Sequence, residues 1–143
     1  MRGNRRKQRK EVTSAEHRAG WDATFSAAKS VSLTALVGGD ERVRQTHRES
    51  VRTALRELER YTQARIGNVH VPETTGKFVA ATFEHDTARP VDGYAAPQLH
   101  NHAVIFNVTE QANGTTRSLQ PHERFVCQRF TLRNYNLSLL RQV

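Results

Sequence analysis

A single cysteine, Cys127, is all the sequence offers, so it cannot be a disulfide-stapled scaffold and it fits a reducing compartment. Long apolar runs are also missing. No stretch is long or apolar enough to span a bilayer, and the N-terminus lacks the apolar core of a secretory signal. A cytoplasmic chain with no membrane partner is expected. Internal repeats are absent. A mean hydropathy of −0.70 with 36% hydrophobic residues is polar, yet not the composition of a disordered chain. The 143 residues suit one domain with a moderate core.

Acidic residues are the scarcer charge: 14 Asp and Glu stand against 22 Lys and Arg, a net of +8. The first 20 residues hold Arg2, Arg5, Arg6, Lys7, Arg9, Lys10 and Arg18 against Glu11 and Glu16, which is +5 of that +8. Residues 1–20 therefore read as a basic, disordered arm, and residues 21–143 as the folded part. Such an arm suits a polyanion, with phosphates the obvious partner, or serves as a solubilising tail.

Alternation over Gly20 to Ser26 predicts a short strand. Ser26 is placed to cap a helix over 27–37, which Gly38-Gly39 ends. Asp40 is placed to cap a longer helix, 41–66, closed by Gly67. Its apolar stripe is Val43, His47, Val51, Ala54, Leu55, Leu58, Tyr61 and Thr62, with His47 and Tyr61 read as core residues. A short strand is expected over 68–71 and a loop over 72–76. Asn113-Gly114 signals a turn into a strand over 116–119. Pro121 opens a final helix whose apolar side is Phe125, Val126, Phe130, Leu137 and Leu140, with Cys127 as a structural residue. The order β-α-α-β-β-β-β-α implies an α+β fold, an antiparallel sheet with helices packed on one face.

Two strand-like runs carry the chemistry. One is residues 77–85, ending in His85, and the other begins Leu99-His100-Asn101-His102 and continues through apolar residues. Side chains alternate across a strand, so His100 and His102 share a face while Asn101 points away. The segment between the runs holds Asp86, Pro90, Asp92, Gly93 and Pro97, a loop that makes the two strands antiparallel neighbours. Setting His85 opposite His100 puts Phe83 by His102 and Ala81 by Val104. Three histidines then sit at the loop end of one face, above an apolar patch that requires a covering helix. Three neutral imidazoles suit Zn, Mn, Ni or Co and leave positions open for a ligand.

The segment Gly20-Trp21-Asp22-Ala23-Thr24-Phe25-Ser26-Ala27-Ala28-Lys29-Ser30-Val31-Ser32 resembles a signature of MobF-type (TrwC-like) conjugative relaxases. Phe83-Glu84-His85-Asp86-Thr87-Ala88-Arg89 and Gln98-Leu99-His100-Asn101-His102 resemble the two segments that supply that family's histidine triad. The resemblance covers roughly residues 17–130 in the same order, and departs from the family pattern at Ala28 (usually proline) and Asn101 (usually threonine). It implies an HUH-type endonuclease fold, a divalent cofactor (Mg, Mn, Zn or Ni) held by His85, His100 and His102, and single-stranded DNA at a plasmid transfer origin as substrate. In the full-length family, other relaxosome proteins are partners. By the same resemblance, Asp22 orients a ligand histidine or assists the proton loss of the nucleophile. Lys29 and Arg89 contact phosphate, joined by Arg5, Arg6 and Lys7 of the basic arm. The family's nucleophilic tyrosines precede the Asp22 motif, so the resemblance implies an N-terminally truncated domain without its own nucleophile, leaving Tyr94 in the loop between the ligand segments as a substitute. Two alternatives stand beside a partial relaxase: a non-catalytic basic DNA-binding protein, and a small metal-dependent nuclease using water or Tyr94.

Overall fold

The computed structural model describes residues 18–67 and 71–120. Its elements are β1 (Gly20–Ser26), α1 (Lys29–Leu36), α2 (Glu41–Arg60), β2 (Gln63–Ala64), β3 (Glu73–Thr74), β4 (Ala80–Thr87), β5 (Pro97–Phe106), β6 (Thr109–Glu110) and β7 (Thr116–Arg117). The main sheet is antiparallel with the order β1-β5-β4, and β2-β3 and β6-β7 form two small pairs beside it. The expected α+β class and the antiparallel sheet with helices on one face are both present.

The register between β4 and β5 is the one that alternation predicts: His85 opposes His100, Phe83 opposes His102, and Ala81 opposes Val104. On the other side of β5, Thr24 opposes His102, Asp22 opposes Val104 and Ser26 opposes His100. The faces follow directly. Leu99, Asn101, Ala103 and Ile105 of β5 are buried under α1 and α2, while His100, His102, Val104 and Phe106 line the opposite face.

Three clusters make the core. Phe25, Val51, Ala54 and Ala103 form the first; Ala27, Ala35 and Leu99 the second; Leu58, Ile105 and Leu119 the third. All lie between the helices and the face without histidines. The apolar patch expected under a helix is thus on the side that no helix covers among the described residues. Phe83, Phe106 and Val79 are exposed there, at 53%, 44% and 56%. Alternation separates two faces but does not say which is roofed, and β5 is apolar on both.

Local differences have local causes. Ser26 is the last residue of β1, and α1 starts after Ala28, with no side-chain cap. Asp40 caps α2 as expected, its Oδ1 accepting the Arg42 amide at 3.0 Å. α2 stops at Arg60 rather than at 66, because Ala64 is needed elsewhere. It is fully buried, pairs with Glu73 and bridges to Leu119. Tyr61 lies past the helix end and is 45% exposed, so it is not a core residue, whereas His47 is wholly buried. Glu73–Thr74 is a strand where a loop was expected, and 68–70 of the expected strand lie outside the described residues. The Asn113-Gly114 turn is present, with Gly114 at φ +80° and strand β7 beyond it.

Residues 18–20, counted with the basic arm from sequence, are held by the fold. Asn107 donates its backbone amide to the Ala19 carbonyl and its side-chain amide to the Arg18 carbonyl, both at 2.9 Å. Gly20 has no room for a side chain: a Cβ there would meet the Ile105 carbonyl oxygen at 2.4 Å. The rest of the arm and the helix expected from Pro121, with Cys127, lie outside the described residues.

Candidate metal centre

β5 is the central strand, so its outward side chains are flanked on both sides. His100 and His102 receive His85 from β4 and Asp22 and Thr24 from β1. The ring centroids of His85, His100 and His102 are 5.3, 5.4 and 5.2 Å apart, pair by pair. A ring nitrogen about 2.1 Å from an ion puts its centroid about 3.2 Å out, and three such rings at tetrahedral angles would stand about 5.2 Å apart. The spacing therefore matches a three-imidazole donor set. The cage is not closed, however: among the described residues no group of three or more His, Cys, Asp or Glu side chains stands ready to enclose an ion.

Two hydrogen bonds set the ring tautomers. His102 Nδ1 lies 2.7 Å from Asp22 Oδ2, and His100 Nδ1 lies 3.0 Å from the Gln98 carbonyl oxygen. Both partners only accept, so in the neutral ring each Nδ1 carries the proton and each Nε2 keeps its lone pair. This is how metal-binding histidines are oriented from behind. Thr24 Oγ1, at 3.4 Å from His102 Nδ1, is a weaker neighbour.

The other residues singled out from sequence fall at the same end or beyond it. Lys29 Nζ donates to the Pro97 carbonyl at 2.7 Å, tying the first turn of α1 to the start of β5. Arg89 is exposed on the loop that leaves β4. Tyr94 is 68% exposed and exchanges backbone hydrogen bonds of 2.9 Å with Val91. Between them Asp92 (φ 50°) and Gly93 (φ 82°) form a tight turn of the hairpin kind that demands a left-handed backbone at both positions. Arg5, Arg6 and Lys7 lie outside the described residues.

Sequence reasoning missed what lies behind the histidines. Asn101 Oδ1 accepts from His47 Nε2 at 2.7 Å in the buried layer. Burial pushes the His47 pKa down, so the neutral ring is the form that packs there. Glu84, opposite Asn101, is clamped by Arg44 and Arg48. The only signal was alternation itself: Glu84, Asp86 and Asn101 interleave with the three histidines.

Known proteins bear on this arrangement. The family model described as TrwC relaxase matches residues 1–143. A multifunctional conjugation protein TraI of Escherichia coli is 45% identical over 106 residues, 73% of this chain but 6% of that protein. A conjugative relaxase TrwC solved in complex with oriT DNA, metal-free, superposes with a TM-score of 0.82 at 39% identity, over 91% of this chain and 45% of the other. A metal-bound TrwC–oriT complex gives 0.81 at 39% identity, over 91% and 44%. The chain thus spans under half the length of these solved relatives and a small part of TraI. With a match from end to end, and the same fold at 39% identity, the chain belongs to the TrwC relaxase family.

Proposed function

We propose that this chain is a partial DNA relaxase domain of conjugative transfer, working in the cytoplasm. It binds a divalent metal through His85, His100 and His102 and presents single-stranded origin DNA for site-specific nicking. The observation that carries the reading is the pair of acceptor contacts at Nδ1 of His100 and His102, which turn Nε2 of each ring away from those partners, beside the His85 ring. Metal-bound and DNA-bound relatives support it. A bound ion would neutralise a non-bridging phosphate oxygen and orient the phosphodiester for in-line attack.

The chain's own groups do the rest. Asp22 holds the His102 ring in one tautomer and one orientation. The open sheet face leaves room for a DNA strand, and exposed Phe83 and Phe106 offer flat apolar surface to unstacked bases. Arg89, with Arg5, Arg6 and Lys7 of the arm, supplies charge for phosphates. Lys29 already donates to Pro97, so its first role is to fasten α1 to the site. We assign the nucleophile to neither Tyr61 nor Tyr94. Tyr61 follows the far end of α2, Tyr94 sits on an exposed hairpin tip, and Tyr135 is outside the described residues. In this reading the chain binds and orients DNA, and the attacking tyrosine comes from another segment or molecule.

The test is a calorimetric titration of Mn²⁺ and of Ni²⁺ into the chain, beside a His100→Ala/His102→Ala variant. One site, lost in the variant, supports the triad. No site in the wild-type chain refutes it. A chain that binds single-stranded origin DNA but no metal points instead to a non-catalytic basic DNA-binding protein.

A further inference from the structure

The residues that interleave with the histidines point to the roofed face of the sheet, and each is gripped by the first two turns of α2. Glu84 and Asp86 flank His85. Arg44 Nε donates to Glu84 Oε1 at 2.7 Å, and Arg44 Nη2 donates to Asp86 Oδ1. Arg48 donates from Nε and Nη2 to the two oxygens of Glu84, at 2.8 and 3.0 Å. Asn101, between His100 and His102, accepts from His47 at 2.7 Å. Arg44, His47 and Arg48 stand at i, i+3 and i+4, on one face of the helix.

The contacts sit where the backbone ladder is weakest. The β4–β5 register slips between His85 and Thr87 and pairing resumes at Thr87 with Pro97, so the ladder is irregular immediately after His85. On the histidine face Asp22 of β1 orients His102, while Phe83, its neighbour on β4, is 53% exposed. Across this irregular stretch the two arginines hold β4 from behind. Glu84 is 17% exposed in its side chain.

We propose that Arg44, His47 and Arg48 of α2 are positioning residues for the metal centre. They hold the two ligand-bearing strands from behind and set the spacing of His85 against His100 and His102. Metal affinity then depends on helix side chains that never touch the ion. The inference rests on the metal reading of the triad.

Mn²⁺ is titrated calorimetrically into the 143-residue chain, Glu84→Gln, and Arg44→Ala/Arg48→Ala. Ile105→Val, at the far end of β5, serves as a stability control, and thermal melts accompany every titration. The wild-type chain is expected to show one site. The clamp variants should raise its Kd about tenfold, the lower end of the effect of losing outer-shell partners. Ile105→Val should leave Kd unchanged even where its melt falls as far. Should the double variant lose its folded signal, Glu84→Gln decides, since it keeps size and removes only the charge. Clamp variants with wild-type Kd overturn the inference while the triad stands, as does a loss of affinity that the control shares. A wild-type chain that binds no Mn²⁺ overturns both.

Discussion

Asp22→Ala offers the sharpest separation of site chemistry from stability. Asp22 Oδ2 lies 2.7 Å from His102 Nδ1, but the two side chains are 49% and 35% exposed. An exposed pair of this kind is worth about 0–1 kcal/mol to the fold, so the melt should move by a few degrees at most. Its influence on the ring is larger. Removing the acceptor frees the His102 proton to move to Nε2, which then cannot ligate, and frees the ring to rotate. Loss of such an orienting partner typically weakens metal binding about 10–100-fold, or about 1.4–2.7 kcal/mol. Mn²⁺ calorimetry at constant pH reads this directly. Asp22→Asn, which retains an acceptor oxygen but no charge, should fall between alanine and the wild-type chain. An Asp22→Ala chain that binds Mn²⁺ with wild-type Kd would show that the carboxylate does not set the tautomer.

Four further outcomes follow from packing and burial. Gly20→Ala places a Cβ 2.4 Å from the Ile105 carbonyl oxygen, so β1 must shift; a loss of about 1–3 kcal/mol is expected in urea unfolding. Ser50 Oγ is buried without a hydrogen bond among the described residues; Ser50→Ala should raise stability by about 1 kcal/mol, and a lower melting temperature would contradict this. His47 is depressed below its ordinary 6.5 by burial, so the unfolded chain binds its proton more readily. Its stabilising effect is complete above pH 6.5 and is lost as pH falls below it, so the urea midpoint should drop between pH 7.5 and 5.5, and less so in His47→Gln. With one sheet face uncovered among the described residues, the chain should melt broadly, and a sharp transition above about 65 °C, the upper end for mesophile domains, would refute that.

The β4–β5 hairpin was legible because its information is local. Alternation sets the face, the turn-forming loop sets the partner, and together they place His85 against His100. Asp40 at the start of α2 was legible for the same reason. The end of α2 was not, because Ala64 leaves the helix to meet Glu73 and Leu119, and neither partner is near it in sequence. The His47–Asn101 pair was hidden in the same way, since 54 residues separate its members. A histidine on a helix stripe looks like core, and an asparagine between two candidate ligands looks like an outward residue. Only the packing of α2 on β5 shows that each answers the other.

The roofed face is the most instructive error, because its cause is also functional. On β5, Leu99, Ala103 and Ile105 compete with Val104 and Phe106 for the core, and hydrophobicity alone does not choose. Size and polarity along the neighbouring strands do. Phe25 of β1 and the small Ala103 beside it let α2 approach closely enough to pack Val51 and Ala54. The face with Asp22, Thr24 and three imidazoles could be roofed only by leaving those polar groups to find partners in an apolar interior, at a cost of about 1–3 kcal/mol for each one left unpaired. The helices therefore take the other side. The same polar groups that repel a helix are the ones a phosphate and its ion would require. Among the described residues no helix covers the histidine face, a direct consequence of where the histidines stand, and in the proposed reading this is the face that takes the DNA.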